Sequence, residues 1–537
     1  MSKFKIALLF ILSGILFSIA WYENLPSITE FIGFVPFLIG YDKLIERKTK
    51  FWSIVGYTSI TFAVWTACST WWIYNATLIG AIMAVIVSTV MMMLALIAYH
   101  YTRRILGKKI GIVGFVMFWL TYELFFHYSE VQWPWLSLGN GLGNNIKMIQ
   151  WYEYTGILGG SLWVLIINVL LYYLYYHITN KRLKQSLYTG LAVLVIFIAP
   201  VILSVSMFNR YEEPSNPAKV LIIQPNIDPY NEKFTGMSND DQMDIMIDLA
   251  KNNIDSTFDF VLCPETAIDD QIWIHQLPAN FSILRLKSFV KDYPNTSWIT
   301  GIFSLKYYSN ADSITPTARA YLYEKGVYYD RYNSAVQIDT SGNLPLYHKS
   351  KLVVGVEMMP YTKYSKFFEK YFVNLGAIRG SLGTQAERGV FFSKNGKFGV
   401  GPVICYESVF GEFVSGYIKK GANFIFVLTN DGWWGDTPGY HQHFTFSQIR
   451  AIEMRRSIAR SANTGISAII NQRGEVLDSL GWWKRGVIIG KINANDKVTY
   501  YARQGDYIGR LAAFLGLLIL VYAISRQIIN RLQLRTK

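Results

Sequence analysis

Long apolar blocks separated by short polar loops fill the chain up to residue 207, and one more block lies near its end. A helix needs about 20 apolar residues to cross the hydrocarbon core of a membrane, and most of these blocks reach that length. The pattern therefore predicts a polytopic α-helical membrane domain with about eight transmembrane helices. The second block contains Glu30 and Pro36, so its ends are the least sharply defined. The predicted spans are residues 4–21, 27–41, 51–74, 76–99, 110–126, 159–178, 187–207 and 508–525.

A different pattern begins near Val220, where short β-rich runs alternate with amphipathic stretches. The runs are continuously apolar, which is typical of strands buried on both faces of a sheet. Residues 240–252 and 446–461 instead show the periodicity of amphipathic helices. The alternation predicts an α/β layer fold, and about 300 residues are enough for one such core.

These two patterns divide the chain into three predicted parts. Residues 1–207 form a membrane domain with seven transmembrane helices, residues 208–507 form the α/β domain, and residues 508–537 form the last transmembrane helix and a basic tail. Within the first part, residues 127–158 are rich in tryptophan and tyrosine and are predicted to form an extracytoplasmic arm. The rings of this arm, Trp135 among them, are either interfacial anchors or part of a lipid-facing site.

The basic residues indicate how the chain is oriented in the membrane. The sequence is 51% hydrophobic and only 16% charged, with a formal net charge of +14. Lysine and arginine cluster in alternate short loops and in the tail. If the N-terminus is cytoplasmic, the positive-inside rule is satisfied throughout, and residues 208–507 lie outside the cytoplasm. The charge is therefore mainly an orientation signal, and its placement argues against a nucleic-acid partner.

Common catalytic and metal-binding signatures are absent from the sequence. It contains no GxxxxGK[ST], no strand-linked GxGxxG, no GxSxG and no HExxH. His441 and His443 lack a neighbouring cysteine or third histidine, so neither a metal nor a cofactor is predicted. Cys68 and Cys263 are interpreted as structural. The apolar run before Cys405 would, on its own, favour a buried inert thiol there too.

Three chemically suited side chains follow predicted strands. Glu265 ends "FDFVLCPET", Lys349 lies in "LPLYHKSKL", and Cys405 ends "GVGPVICYE". Each has an ordinary structural interpretation by itself, as a turn residue, a solvated lysine or a core cysteine. Together they supply a thiol nucleophile, a carboxylate that can serve as base and then acid, and an ammonium that can stabilise an oxyanion.

At these residues the chain resembles the nitrilase superfamily, whose catalytic Glu-Lys-Cys set lies in an αββα sandwich. The eight predicted spans narrow the resemblance to the apolipoprotein N-acyltransferases, the integral membrane branch of that superfamily. The chain departs from the family at "LVVGVE", where the family commonly has "LVPFGE", which leaves the shape of this loop open. The matching stretches are "PET", "YHKSKLV" with "GVEMMP", "CYE", "TNDGWWGD" and residues 450–470.

The resemblance implies a two-step acyl transfer, the last step of bacterial lipoprotein maturation. Cys405 would take an acyl chain from a membrane phospholipid as a thioester and pass it to the α-amine of an S-diacylglyceryl cysteine on an apolipoprotein. Glu265 would be the base and Lys349 would hold the oxyanion. The resemblance also implies supporting roles for Glu357, Tyr406 and Glu407.

The resemblance further implies a monomeric protein of the bacterial inner membrane, with cytoplasmic termini and a periplasmic catalytic domain. Because both substrates are lipids, aromatic residues near the motifs are candidates for a lipid path. Packing within the core is an equally good interpretation of each of these rings. The candidates are Phe234, Trp433, Trp434 and, in the arm, Trp135.

Two other functions remain open from the sequence. A membrane-anchored amidase or nitrilase-type hydrolase would use water as the second acceptor, although one span would be enough to anchor it. A non-catalytic transporter or scaffold would not need the complete set of Glu265, Lys349 and Cys405. Transport paths also usually carry charged residues inside the spans, and such residues are scarce here.

Overall fold

The computed structural model describes residues 1–234, 236–308, 314–322, 326–360 and 381–535. The last two residues of the predicted basic tail, 536 and 537, lie outside the described residues. The chain forms two compact units, one of residues 1–210 with 504–537 and the other of residues 211–503. The corresponding boundaries predicted from the sequence are 207/208 and 507/508.

The first unit is helical, and its helices follow the apolar blocks of the sequence. Gly107, whose φ is +85°, separates two of the long helices, because the left-handed region suits glycine and ends the preceding helix. Gly156, with φ of +61°, interrupts the helix that contains the predicted span 159–178. The helices are Lys3–Ile19, Glu30–Glu46, Phe51–Thr70, Ile73–Ala76, Leu78–Leu106, Lys108–Tyr128, Leu138–Gly141, Tyr152–Thr179, Leu183–Arg210 and Tyr507–Arg535.

Six helices in the described part of the chain are long and apolar enough to cross a membrane. Lys3–Ile19 and Glu30–Glu46 also match predicted spans, but each has only 17 residues. The predicted total of eight crossings therefore stays a prediction. The six are Phe51–Thr70, Leu78–Leu106, Lys108–Tyr128, Tyr152–Thr179, Leu183–Arg210 and Tyr507–Leu534.

The second unit contains two β-sheets. The strands are β1 Pro217–Gln224, β2 Phe260–Leu262, β3 Ile268–Trp273, β4 Ser297–Tyr308, β5 Arg319–Ala320, β6 Tyr328–Ile338, β7 Leu346–His348, β8 Phe391–Phe392, β9 Gly399–Ile404, β10 Phe424–Thr429, β11 Ile458–Ala462, β12 Ser467–Ile470, β13 Val476–Leu480 and β14 Gly486–Asn493. The first sheet has the strand order β14-β1-β2-β4-β6-β5, with β3 beside β4 and β7 beside β6, and the second sheet has the order β13-β12-β11-β10-β9-β8.

The inner faces of the two sheets pack against each other. Phe260 of β2 lies with its ring centroid 5.2 Å from that of Phe426 of β10, and the Ser461 hydroxyl of β11 donates to the Ile223 carbonyl of β1 at 2.7 Å. Helices cover the outer faces, so the unit is the predicted αββα sandwich. Asn239–Lys251 and Phe281–Asp292 cover the first sheet, and Gly411–Lys419 and Pro438–Met454 cover the second. A short helix, Tyr500–Gln504, follows the last strand.

One predicted helix is partly wrong. Residues 446–461 are expected to be helical throughout, but the helix ends at Met454 and residues 458–462 form β11. Arg455 takes a left-handed conformation with φ of +47°, which stops the helix. The buried Arg456 guanidinium then donates to backbone carbonyls, including that of Ala422 at 2.9 Å. Arginine is rarely buried in proteins, so the arginines in residues 446–461 favour a helix with a solvated face when only the sequence is considered.

Strand directions bring two of the predicted catalytic residues to one edge of the first sheet. β4 is parallel to β2 and antiparallel to β6, and β6 is antiparallel to β7. Strands β2 and β7 therefore run in the same direction, and the residues after them, Glu265 and Lys349, leave the sheet at the same edge. In the second sheet, Cys405 follows β9 directly.

Candidate active site

Glu265 lies in a tight turn after β2 and is 7% exposed. The turn packs directly on β4, where a Cβ atom at Gly301 would lie 2.3 Å from the Thr266 amide nitrogen. Only glycine permits this approach at position 301. Thr266 itself is left-handed, with φ of +47°, which is unusual for a β-branched residue. The backbone around Glu265 is therefore held in a specific, strained shape.

Lys349 lies between two carboxylates. Its Nζ atom is 2.9 Å from Glu265 Oε1 and 2.9 Å from the Glu357 carboxylate, and its side chain is 1% exposed. Burial alone would lower the pKa of Lys349, but the charges of Glu265 and Glu357 raise it well above its usual value. The side chain is therefore a fixed cation, which suits it to stabilise an anion and not to act as a base.

Asn333 joins the same group, although the sequence analysis did not identify it. Its Nδ2 atom donates to Glu265 Oε1 at 2.7 Å and to Glu357 Oε1 at 3.1 Å. The backbone carbonyl of Asn333 accepts from the Lys349 backbone N–H at 2.8 Å, because β6 lies beside β7. The sequence signal for Asn333 is weak, because "YNSAVQI" contains a second amide, Gln337, and a serine as well.

Glu357 keeps its place despite the departure of "LVVGVE" from the family pattern. Its Oε2 atom accepts from the Val353 backbone N–H at 2.9 Å and so closes the turn from 353 to 357 on itself. Gly355 provides the left-handed residue of that turn, with φ of +83°. The turn thus delivers the second carboxylate to Lys349 without the proline that the family commonly has.

Cys405 is displayed on a sharp bend between β9 and a 3₁₀ turn that runs from Cys405 to Val409. Its φ of +50° is costly for a residue other than glycine, typically by about 1–2 kcal/mol. Burial raises the pKa of its thiol, and the Glu265 carboxylate adds to the rise, whereas Lys349 opposes it. The resting thiol is therefore protonated and needs a base to become a nucleophile.

Three buried residues, His443, Asp431 and Arg460, form an ionic cluster that supports the bend at Cys405. His443 Nε2 lies 3.2 Å from the Cys405 carbonyl oxygen, and its Nδ1 lies 2.8 Å from Asp431 Oδ1. Arg460 donates to Asp431 Oδ2 at 2.8 Å. Burial alone would raise the pKa of Asp431, but Arg460 and His443 lower it to about 2, so this carboxylate is ionised. Because Asp431 orients the imidazole, the cluster fixes the backbone of the nucleophile.

His443 is therefore engaged in hydrogen bonds, and His441, the other member of the histidine pair, packs its ring against Tyr440 at a centroid distance of 4.1 Å. Within the ranges that the structure describes, no group of three or more histidine, cysteine, aspartate or glutamate side chains is placed to hold a metal ion.

Glu407 connects the two sheets and is completely buried. Its Oε1 atom accepts from the Ser350 backbone N–H at 2.7 Å and from the Tyr347 hydroxyl at 2.6 Å, both beside Lys349. Its Oε2 atom accepts from the Ile404 N–H at 2.8 Å, next to Cys405. Burial raises its pKa, and these hydrogen bonds oppose the rise. One carboxylate thus sets the spacing between the lysine segment and the cysteine segment.

The aromatic candidates take different positions. Tyr406 is buried and packs edge-to-face on Phe410 at a centroid distance of 5.2 Å. Phe234 is 43% exposed and stacks on Trp433 at 5.9 Å with an interplanar angle of 16°. Trp434 lies edge-on to a histidine ring of the ionic cluster. The supporting role of Tyr406 and the lipid-path roles of Phe234, Trp433 and Trp434 stay predictions.

Trp135 belongs to the first unit and is 1% exposed. It stacks on Trp133 with ring centroids 5.2 Å apart and packs against Trp72 at the same distance. In this position its ring contributes to packing within the helical unit. Its role in a lipid path is likewise still a prediction.

The second unit therefore places a protonated thiol on a bend, the Glu265 carboxylate and a fixed ammonium in one electrostatically coupled group. Residues 223–500 match the carbon-nitrogen hydrolase family, and the chain belongs to that family. Residues 13–170 match the apolipoprotein N-acyltransferase N-terminal domain. The protein is thus an acyltransferase of the carbon-nitrogen hydrolase family, and its N-terminal part is similar to that of the apolipoprotein N-acyltransferases.

Relatives with this architecture match nearly the whole chain. Apolipoprotein N-acyltransferase of Chlorobaculum tepidum is 26% identical over 530 residues, which covers 96% of each chain. That of Geobacter metallireducens is 24% identical over 519 residues, 93% of this chain and 91% of its own. The solved structure of Saccharomyces cerevisiae Nit3, a nitrilase-superfamily member, aligns with 53% of this chain and 92% of its own at 15% identity and a TM-score of 0.37.

Proposed function

We propose that the protein transfers a fatty acyl chain from a membrane phospholipid to the α-amine of a diacylglyceryl cysteine at the N-terminus of an apolipoprotein. The observation that carries the proposal is the position of Lys349 between Glu265 and Glu357, electrostatically coupled to Cys405 on its bend. The names of the full-length relatives support the same acceptor class. No cofactor is required, because the four side chains supply every proton transfer and charge that the reaction needs.

The first step forms a thioester. Glu265 takes the thiol proton of Cys405, and the thiolate attacks the ester carbonyl carbon of the phospholipid. Lys349 stabilises the negative charge that develops on the carbonyl oxygen. When the tetrahedral intermediate collapses, the bond to the glycerol oxygen breaks and Glu265 returns its proton to that oxygen. The products are an acylated Cys405 and a lysophospholipid.

The second step transfers the acyl chain to the amine. An α-amine has a pKa of about 8, so it is mostly protonated and not nucleophilic at neutral pH. Glu265 removes a proton from it, and the nitrogen attacks the thioester carbonyl carbon. Glu265 releases this first proton to solvent and takes a second one from the nitrogen as it adds to the carbonyl carbon. The carbon–sulfur bond then breaks, an amide forms, and Glu265 passes the second proton to the Cys405 thiolate. Lys349 again stabilises the oxyanion, so one set of groups serves both steps.

Intact-protein mass spectrometry tests this proposal directly. The wild-type protein in detergent, incubated with phospholipid, should gain the mass of one acyl chain, and a diacylated lipopeptide should then remove it and become acylated at its amine. Cys405→Ala should show neither event, because no other side chain of the group can form a thioester. The measurement is the mass of the protein and of the peptide before and after each addition.

Cys68→Ala is the matched control, since Cys68 is an exposed free cysteine of the helical unit. It should acquire and release the acyl chain like the wild type. An adduct that discharges only to water would favour a hydrolase of the same family and contradict the transferase. The absence of any adduct on the wild-type protein would contradict both enzymes and favour a non-catalytic protein.

We also propose that the protein lies in the bacterial inner membrane with both termini in the cytoplasm and residues 211–503 in the periplasm. The apolar helices and the family support a membrane location, and the basic loops support the orientation. Loop 180–185, which carries three basic residues, would then be cytoplasmic. A monomer is sufficient for the reaction, because the catalytic group comes from a single chain.

An impermeant maleimide tests the orientation. In a Cys68→Ala background, a cysteine at the exposed position 397 (Lys397→Cys) should react in intact spheroplasts. A cysteine at the exposed position 184 (Lys184→Cys) should react only after the membrane is permeabilised. The two sites serve as controls for each other, and the reverse labelling pattern would overturn the proposed topology.

A further inference from the structure

Lys233 is a buried cation beside the catalytic group that the two-step reaction does not use. It is 2% exposed, and its Nζ atom donates to the Glu265 carbonyl oxygen at 3.2 Å and to the Thr266 hydroxyl at 3.0 Å. Its own backbone is fixed, since Gln242 Nε2 donates to the Lys233 carbonyl at 2.7 Å. Burying a lysine is costly unless its partners compensate, so these contacts require an explanation.

The contacts of Lys233 fall on a turn that needs support. Thr266 is held in the left-handed region, and Gly301 of β4 packs directly against the backbone of this turn. A strained turn persists only where its surroundings fix it. The ammonium of Lys233 binds one acceptor of the base residue and one of the strained residue. It therefore fixes the backbone from which the Glu265 carboxylate projects.

Charge gives Lys233 a second effect on the base. Two carboxylates, Glu265 and Glu357, share the single ammonium of Lys349, which leaves one negative charge uncompensated in a buried place. Lys233 interacts electrostatically with Glu265 and also with Asp269 on β3. A second positive charge here offsets the negative charge that Lys349 alone does not compensate.

We propose that Lys233 is a positioning residue for the Glu265 base, which it holds in place through the 265–266 turn and whose negative charge it helps to balance. This inference rests on the proposed acyl transfer, in which Glu265 is the base. Lys233 does not touch the reacting atoms and is not itself catalytic. Its neighbour Phe234 stacks on Trp433, so the residue that fixes the base is adjacent in sequence to the exposed aromatic pair.

The pH dependence of thioester formation tests the proposal. Lys233→Met keeps the length of the side chain and removes the charge, and we expect the rate at pH 7 to fall about 10- to 100-fold because the base is misplaced. The acidic limb of the profile should also move to higher pH, because the variant lacks a buried positive charge beside the catalytic group. Burial lowers the pKa of Lys233 to about 8, although Glu265 and Asp269 oppose this, so the part of the effect due to charge should fade above pH 8.

Two further variants complete the test. Lys251→Met, at an exposed helix position, should leave rate and limb unchanged. Lys233→Arg keeps the charge, so its limb should coincide with that of the wild type even if its rate is lower. This second comparison applies even where the methionine variant does not fold.

If the acidic limb of the pH profile is unshifted in Lys233→Met, the proposed electrostatic role is wrong. A shifted acidic limb in Lys233→Arg, which keeps the charge, would contradict that role as well. Full wild-type rates in Lys233→Met would overturn the positioning role as well. Failure of the wild-type protein to form any thioester would instead overturn the proposed function, so the two failures are distinguishable in the same measurement.

Discussion

Glu265→Gln should slow the formation of the acyl-enzyme by about 10³- to 10⁴-fold while leaving the fold intact. General acid–base catalysis typically contributes about 10²- to 10⁴-fold, and in the proposed reaction one carboxylate serves in both steps. The glutamine oxygen can still accept from Lys349 and Asn333, so the buried contacts survive. A time course by intact-protein mass spectrometry under single-turnover conditions measures the rate, and a thermal melt of the same sample checks the fold.

Glu387→Gln is the matched control for this substitution. Glu387 forms a surface ion pair with Lys420 at 2.6 Å, and its side chain is 82% exposed. Exposed pairs contribute little to stability, and this one is not part of the catalytic group, so the variant should react at the wild-type rate. If Glu265→Gln also kept its rate within about tenfold of the wild type, another group would have to be the base.

Lys349→Met should damage both activity and stability. Its removal leaves Glu265 and Glu357 buried beside each other without the cation that bridges them, and breaking a buried ion pair in this way costs about 3–5 kcal/mol. Loss of the oxyanion partner should also lower the rate of acyl-enzyme formation by about 10²- to 10³-fold. Denaturant unfolding of the full-length protein in detergent gives the first quantity, and the mass-spectrometric time course gives the second.

A double variant separates these two effects. Lys349→Met combined with Glu357→Gln removes one of the two carboxylates, so much of the lost free energy of unfolding should return. Activity should not return, because the ammonium is still absent. Recovery of activity together with stability would mean that Lys349 is only a structural counter-ion, and the proposed role in stabilising the oxyanion would be wrong.

The sandwich, and the positions of Glu265, Lys349 and Cys405 after its strands, could be predicted because their signals are local. Each of Glu265, Lys349 and Cys405 follows a recognisable run of apolar residues, and strand ends are where layered α/β folds collect their functional groups. The structure gives the contacts among them that spacing alone could not provide.

The remaining members of the group depend on register and long-range packing. Asn333 reaches both carboxylates only because β6 pairs with β4 and β7 in one register, and a shift of one residue would point it to the other face of the sheet. Lys233 and His443 look like ordinary polar residues of a loop and a helix. Their roles arise from contacts with residues more than 30 positions away in the sequence.

The position of Glu407 has a consequence for how this enzyme can change over evolution. Its carboxylate holds the nucleophile segment on one sheet and the ammonium segment on the other at a fixed separation, and it does so from the interior. The exposed Phe234 takes no part in these three hydrogen bonds. Substitutions at an exposed position such as 234 can therefore accumulate without altering the hydrogen bonds that hold the Cys405 and Lys349 segments at this separation.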